Sequence, residues 1–353
     1  MRWLGALALV AIGCQGVAGI EERHYEPTVT GTPECESYCN HVTAGCAGVH
    51  AAYPDRDTCL LTCAKLPSGE ASADNSLECR TAQAELAEST TEPETHCPGA
   101  GPFGAGICGS TCQAYCSLLA AGCPDKLTGI GDCEAKCAGL RSDGNYDLAL
   151  LESGDSVECR VARATRALGD PNQCAGAAFK STTCLDPAGG SPSCDDICNL
   201  IDAACAGADA PYESHAQCLK VCTALPPGAN DDQTGDTAAC RKYHAYNAMA
   251  AAAQHCPHTG PGGDGHCGKD NCESYCLLLP KTCPAAFALK FGGDVSKCKT
   301  ECDKLPGAGL DQWKKVPAQG ANARCRLINV ARAAEMPDDA TFCAAATGAG
   351  ECQ

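Results

Sequence analysis

Cysteine is the residue that most constrains this chain. Of its 33 cysteines, 32 fall into four blocks of eight with one internal order: C-x3-C-x6-C, a loop, C-x3-C, then three single cysteines. The first block is Cys35, Cys39, Cys46, Cys59, Cys63, Cys79, Cys97 and Cys108. The second is Cys112, Cys116, Cys123, Cys133, Cys137, Cys159, Cys174 and Cys184. The third is Cys194, Cys198, Cys205, Cys218, Cys222, Cys240, Cys256 and Cys267, and the fourth Cys272, Cys276, Cys283, Cys298, Cys302, Cys325, Cys343 and Cys352. An even count in every block is the arithmetic of a disulfide framework, which persists outside the reducing cytosol. The recurrence identifies four tandem repeats, and in each the sixth cysteine is followed by arginine: Arg80, Arg160, Arg241 and Arg326.

The chain has little else to fold with. Aromatics are 5% of the residues, and much of the 44% hydrophobic fraction is Ala and Cys. Small domains with thin cores need covalent staples to offset chain entropy. The net charge of −17 excludes a nucleic-acid surface, which needs Lys and Arg patches, and disfavours an electrostatic hold on anionic lipid. Residues 1–13 read as an export signal: Arg2 is the positive region and Trp3 to Gly13 an apolar run too short to span a bilayer. Ala11-Ile12-Gly13-Cys14 resembles the bacterial lipobox, and no block claims Cys14. The expectation is a lipidated Cys14 that anchors the chain to an outer membrane or cell surface. The alternative is cleavage after Ala18 and a freely secreted or periplasmic protein.

The blocks pair off. Cys35 to Cys194 and Cys97 to Cys256 are both offsets of 159, and His96-Cys97-Pro98 recurs as His255-Cys256-Pro257. An ancestral pair of repeats was therefore duplicated. The expected organisation is signal 1–13, anchor and tether 14–34, repeats at 35–108 and 112–184, a linker at 185–193, and repeats at 194–267 and 272–352. The Gly/Pro/Ser linker lies between the pairs, where a hinge is expected.

On a helix, Cys35, Cys39 and Cys46 lie at i, i+4 and i+11 and form one stripe. Thr32-Pro33 and Ser191-Pro192 supply start signals for the first and third such helices. The second C-x3-C is also helical and is stopped by Leu-Pro-rich steps such as Leu66-Pro67. Two facing C-x3-C helices can close a two-bridge ladder, Cys35 with Cys63 and Cys39 with Cys59. The same reading engages Cys112, Cys116, Cys133, Cys137, Cys194, Cys198, Cys218, Cys222, Cys272, Cys276, Cys298 and Cys302. The ladder resembles that of short helical hairpins with twin C-x3-C motifs. A third helix is expected near each Cys-Arg step, most clearly Thr237 to Gln254, with a Gly/Pro-rich tail holding the last two cysteines. The fold class is mainly α: four tandem disulfide-stapled repeats of about three helices each, with Gly/Pro-rich loops. No alternating β-branched runs are present.

Motifs that carry chemistry are scarce. No C-x2-C occurs, which removes thioredoxin-type redox sites, most zinc ribbons and c-type haem attachment. Gly99 to Gly104 fits G-x-G-x-x-G but lies between two cysteines, so it reads as a loop. Gly263 to Asp270 misses a P-loop because Asp270 stands where Ser or Thr should hold Mg²⁺. Asn230, Asp231, Asp232 and Asp236 form a weak Ca²⁺ pattern. The one notable polar cluster is His244, His255, His258 and His266, all within 23 residues of the third repeat. Neutral imidazole suits Cu²⁺ and Zn²⁺, so these four are the candidate metal ligands in a chain otherwise expected to carry no cofactor. The Cys-Arg arginines read as helix-surface or inter-repeat hydrogen bonders.

Cys-Arg-Lys-Tyr-His at 240–244, followed by His-Cys-Pro-His-Thr-Gly-Pro at 255–261, resembles repeats in cysteine-rich exported proteins and lipoproteins of myxobacteria and related bacteria. The third repeat matches best, the first partly, the others mainly in cysteine spacing. The resemblance implies a bacterial surface origin and supplies no activity. The expected function is a non-enzymatic envelope or surface scaffold, held to membrane by its lipid and presenting repeats to a protein or glycan partner. The alternative is a Cu/Zn-binding envelope protein that uses the histidines.

Overall fold

The structure is a computed structural model that describes residues 29–353 except 91, 149–150, 152, 310–316 and 337–338. The signal sequence, Cys14 and the cleavage after Ala18 lie outside the described residues. Among the described residues there are 17 α-helices and no strand. No described helix is long and apolar enough to cross a membrane.

The first repeat comprises α1 (Pro33–Gly45), α2 (Arg56–Cys63), α3 (Leu77–Ser89) and α4 (Pro93–Ala100). The second has α5 (Thr111–Gly122), α6 (Cys133–Cys137), α7 (Val157–Ala167) and α8 (Cys174–Ala177). The third has α9 (Cys194–Ala204), α10 (His215–Ala224), α11 (Ala238–Ala248) and α12 (Ala252–Thr259). The fourth has α13 (Asn271–Thr282), α14 (Pro284–Phe291), α15 (Val295–Cys302), α16 (Ala323–Glu335) and α17 (Ala340–Ala346). Short polar side chains start these helices by accepting from backbone N–H groups that lack intrahelical partners. Thr32, Asp55 and Ser76 do so in the first repeat, Ser110, Asp132 and Ser156 in the second, and Ser193, Ser214 and Thr237 in the third. Thr32-Pro33 opens α1 as expected, whereas α9 is capped by Ser193 rather than by Ser191.

All four repeats share one bridge pattern: first cysteine to fifth, second to fourth, third to seventh and sixth to eighth. In the first repeat these are Cys35–Cys63, Cys39–Cys59, Cys46–Cys97 and Cys79–Cys108. The ladders of the others are Cys112–Cys137 with Cys116–Cys133, Cys194–Cys222 with Cys198–Cys218, and Cys272–Cys302 with Cys276–Cys298. Two expectations need correction. Each repeat has four or five α-helices rather than about three, because the seventh cysteine rides on its own short helix instead of in a loop tail. The long helix expected over 237–254 accordingly breaks after Ala248, and the turn lets Cys256 on α12 reach Cys205 at the end of α9.

The arginines are the larger correction. Arg80, Arg160 and Arg241 are not on the surface; they are among the largest fully buried side chains. In Arg241, Nε donates to the Gly260 carbonyl (3.0 Å), Nη1 to that of the cap residue Thr237 (3.0 Å), and Nη2 to the Asp236 carboxylate (2.8 Å). Arg160 repeats this with Phe179, Ser156 and Asp155, and Arg80 with Gly101, Ser76 and Asn75. A guanidinium tolerates burial only when its donors are matched in this way. In the fourth repeat Ala321 stands where the others have Asn or Asp, and Nε and Nη1 of Arg326 have no hydrogen-bond partner.

A tyrosine in each repeat holds the C-terminal end of the helix that carries the seventh cysteine, in the first three next to a carbonyl that the arginine uses. Tyr38, Tyr115 and Tyr275 donate to the carbonyls of Ala100, Ala177 and Ala346. Ile197 takes that position in the third repeat, and Tyr212 supplies the hydroxyl instead, to Thr259.

The linker at 185–193 does not sit as a hinge would. One apolar cluster is continuous across the second and third repeats, from Leu119 and Val161 to Ile197, Ile201 and Met249. Above it, Asp186 of the linker pairs with Arg141 (3.1 Å) and Lys242 (3.0 Å), and Lys242 also reaches Asp155 (2.7 Å). Pro187 and Gly190 carbonyls accept from the Asn230 side chain and backbone. The Gly/Pro composition suggested freedom, but counter-charges on both flanking repeats hold the segment.

Two predictions follow from this packing. Full reduction should add two hydrogens for each bridge, and intact mass should account for all 32 block cysteines; free thiols before reduction would contradict the pattern. Asp155→Ala should destabilise the fold by about 3–5 kcal/mol, because Arg160 and Lys242 would both be left buried without their shared carboxylate. Burial raises the Asp155 carboxyl, but Arg160 and Lys242 outweigh it and hold the group well below the usual range. Its contribution is thus complete above the unfolded value of about 3.9 and is lost as pH falls from there. Chemical denaturation of wild type and Asp155→Asn below about pH 4 should show the variant with the flatter profile.

Candidate metal centre

Four positions in each repeat lie around the space between the helix that bears the sixth cysteine and the helix that bears the seventh. They are the fourth residue after the sixth cysteine, the residue before the seventh, the second after the seventh, and the residue before the eighth. Helix α11 carries the first of these in the third repeat, α12 the next two, and the loop before Cys267 the last. Two bridges and the buried Arg241 fix these segments relative to one another. The four residues are His244, His255, His258 and His266, so the structure brings all four predicted histidines together.

Three of them converge tightly. His244 Nδ1 lies 3.1 Å from His255 Nδ1 and 3.2 Å from His258 Nδ1. One nitrogen of each forms a set within 4.8 Å that contains no carboxylate oxygen. His266 stacks on His258 with ring centroids 3.7 Å apart, and its Nδ1 faces the Asp264 carbonyl at 3.4 Å. His244 and His258 are buried, His255 is half-buried and His266 is exposed, so the cluster opens to solvent past the last two. Burial, then the neighbouring imidazoles of His258, His255 and His266 and the charge of Lys180, push His244 down to about 3. His244 is therefore neutral at neutral pH, the state that ligates a metal.

The two spacings from His244 Nδ1 are close to those that a metal ion sets. A tetrahedral Zn²⁺ with Zn–N bonds of about 2.0–2.1 Å sets its donors about 3.3–3.4 Å apart. One proton on the central Nδ1 satisfies such a trio only by sharing, whereas a cation between them satisfies all three. The two disulfide sulfurs of Cys240 and Cys267 lie beside His244 but are bonded to each other and supply no thiolate.

The other repeats act as internal comparisons. The same four positions hold Gln83, His96, Gly99 and Ile107 in the first repeat, and Arg163, Gln173, Gly176 and Thr183 in the second. In the fourth they hold Asn329, Phe342, Ala345 and Glu351. Each makes one polar pair there: Gln83 with His96 (2.9 Å), Arg163 with Gln173 (3.2 Å), Asn329 with Glu351 (2.8 Å). The backbone arrangement therefore needs no histidines, and only the third repeat fills every position with one.

The remaining sequence candidates do not form sites. Asp236 is bound to Arg241 and Asp232 accepts from the Ala229 backbone, so the acidic stretch at 230–236 does not converge on a cation. Asp270 caps α13 and Cys267 is bridged, which removes the P-loop reading. Sequence reasoning missed Lys180, which comes from the second repeat. Its Nζ sits 3.7 Å from the Tyr243 ring centroid and donates to Asn247 Oδ1 (3.0 Å).

Grafting the first repeat's set into the third, as His244→Gln, His258→Gly and His266→Ile, should leave the fold intact. The expected cost is about 1 kcal/mol, mostly from glycine in a helix. Thermal unfolding and a thiol count test this; exposed thiols or loss of helical signal would show that the histidines are structural.

The chain matches the family model of the BfoA family C-terminal domain over residues 22–111 and 188–270. Those segments contain the first and third repeats, the two that share the His-Cys-Pro step. Among curated proteins, it is similar to the aurasperone B biosynthesis cluster protein A of Aspergillus niger. The two are 36% identical over 75 residues, 21% of this chain and 25% of that protein. The bifonsecin B biosynthesis cluster protein A of Aspergillus brasiliensis is 35% identical over 75 residues, with the same shares. The chain thus spans about a quarter of the length of these curated relatives. No solved structure matches. These findings overturn the resemblance to myxobacterial proteins: the matched relatives are fungal, and the bacterial surface origin falls with it. Cysteine spacing constrains a disulfide fold, and it was a poor guide to lineage.

Proposed function

We propose that this is an exported, non-enzymatic repeat protein whose third repeat binds one Cu²⁺ or Zn²⁺ through His244, His255 and His258. The observation that carries the reading is the convergence of three imidazole Nδ1 atoms from two helices, at a place where the sister repeats keep a single polar pair. Imidazole nitrogen suits both metals, and the usual order of affinities puts Cu²⁺ above Zn²⁺. Export, with cleavage after Ala18, is part of the proposal. Its support is the disulfide density, which a reducing cytosol does not sustain. The other three repeats form the rigid scaffold that presents the site to a partner.

The test is metal analysis and calorimetry on the oxidised full chain. One equivalent of Cu²⁺ or Zn²⁺ should bind, raise the unfolding temperature by mass action, and be lost in His255→Ala with His258→Ala. His96→Ala in the first repeat should change nothing. Unaltered metal binding in the double variant, or none in the wild type, would sink the reading.

A further inference from the structure

The convergent set offers three nitrogens, and a tetrahedral ion takes four donors. The fourth histidine is not aimed at the shared point: His266 lies flat on His258 at the solvent edge. Three neutral imidazoles leave a bound divalent ion with its full charge, and no carboxylate oxygen belongs to the set to reduce it. A further positive charge stands close by. Lys180 is exposed, and its charge acts on both His244 and His255. It lies over Tyr243, whose ring is edge-on to His244 with centroids 5.2 Å apart. Among the described residues no carboxylate lies within ion-pair distance of Lys180; its contacts are Tyr243 and Asn247. An ammonium without a counter-ion beside an uncompensated cation makes a local anion trap in a protein of net charge −17.

We infer that the three-imidazole centre binds its metal with one coordination position left for a small carboxylate, and that Lys180 holds this anion beside the metal. The inference rests on the metal-binding reading above. One carboxylate oxygen completes the tetrahedron and neutralises charge, while the Lys180 ammonium donates to the second oxygen. A structural metal would have no need of such a position, and the sister repeats fold without one.

The experiment loads the oxidised full chain with one equivalent of Co²⁺, whose visible spectrum reports its donors, and titrates acetate. A saturable spectral change is expected in the wild type. Lys180→Gln should still bind Co²⁺ but take acetate about three- to tenfold more weakly, and Lys180→Arg should restore most of the affinity. His266→Ala should leave both the spectrum and the acetate response in place. A Co²⁺ spectrum indifferent to acetate yet altered by His266→Ala would make His266 the fourth ligand and overturn this inference alone. An acetate response untouched by Lys180→Gln would overturn the role of Lys180. If neither Co²⁺ nor Cu²⁺ binds, the metal reading and this inference fail together.

Discussion

A guanidinium buried at the head of the third helix is the interaction on which each of the first three repeats depends. It reaches back to the carbonyl of the helix cap, sideways to an Asn or Asp just before that cap, and across to the backbone that follows the fourth helix. Two acceptors are local, four and five residues back, and the third lies about 20 residues on, so meeting all of them ties the start of one helix to the end of the next. The residue before the arginine is the sixth cysteine, which bridges to the eighth and pins the far side of the same loop. This joint anchor places the four positions that surround the candidate centre. His244 lies one helical turn beyond Arg241, and His266 is adjacent to the cysteine that the anchor holds. The placement of the four histidines is thus inherited from a structural device that the first three repeats share.

The disulfides and the thin core divide the remaining task. Two bridges make each helix pair a rigid ladder, each closing a loop of about 20 to 30 residues and contributing about 3 kcal/mol through the unfolded chain. Apolar packing then joins repeats rather than building them. The second and third repeats share one core, and the fourth receives Val221 and Leu225 from the third. Buried ions such as Asp155, Lys242 and Asp186 add little net stability over an apolar contact, but they permit one docking only. That docking also carries Lys180 of one repeat onto Tyr243, next to His244 of the following repeat.

What could be read from the sequence was what is local and repeated. The C-x3-C spacing implied a facing pair of helices, and the ladder Cys35–Cys63 with Cys39–Cys59 follows from their antiparallel approach. Nearness of four histidines in the chain pointed to the centre, but their convergence depends on the break after Ala248, which nothing in an Ala-rich run announces. The role of the arginines was hidden for a similar reason. Cys-Arg is a dipeptide on a helix, and the carbonyl that buries Arg241 belongs to Gly260, beyond another helix. The linker misled because Gly and Pro describe the freedom of an isolated segment. Its order comes from Arg141 and Lys242, charges that sit in two different repeats.

Four copies of one pocket make the third repeat interpretable without any outside comparison. The backbone around the pocket is set by bridges and by the arginine, so side chains at its four positions vary at little cost to the fold. In the first repeat Ile107 packs so closely over Gly99 that a Cβ there would lie 2.9 Å from it, and the pocket is filled. In the second Arg163 pairs with Gln173, and in the fourth Asn329 pairs with Glu351. Only the third brings three imidazole nitrogens together at these positions. The metal reading proposed above rests on this contrast between one repeat and its three sisters rather than on any single histidine.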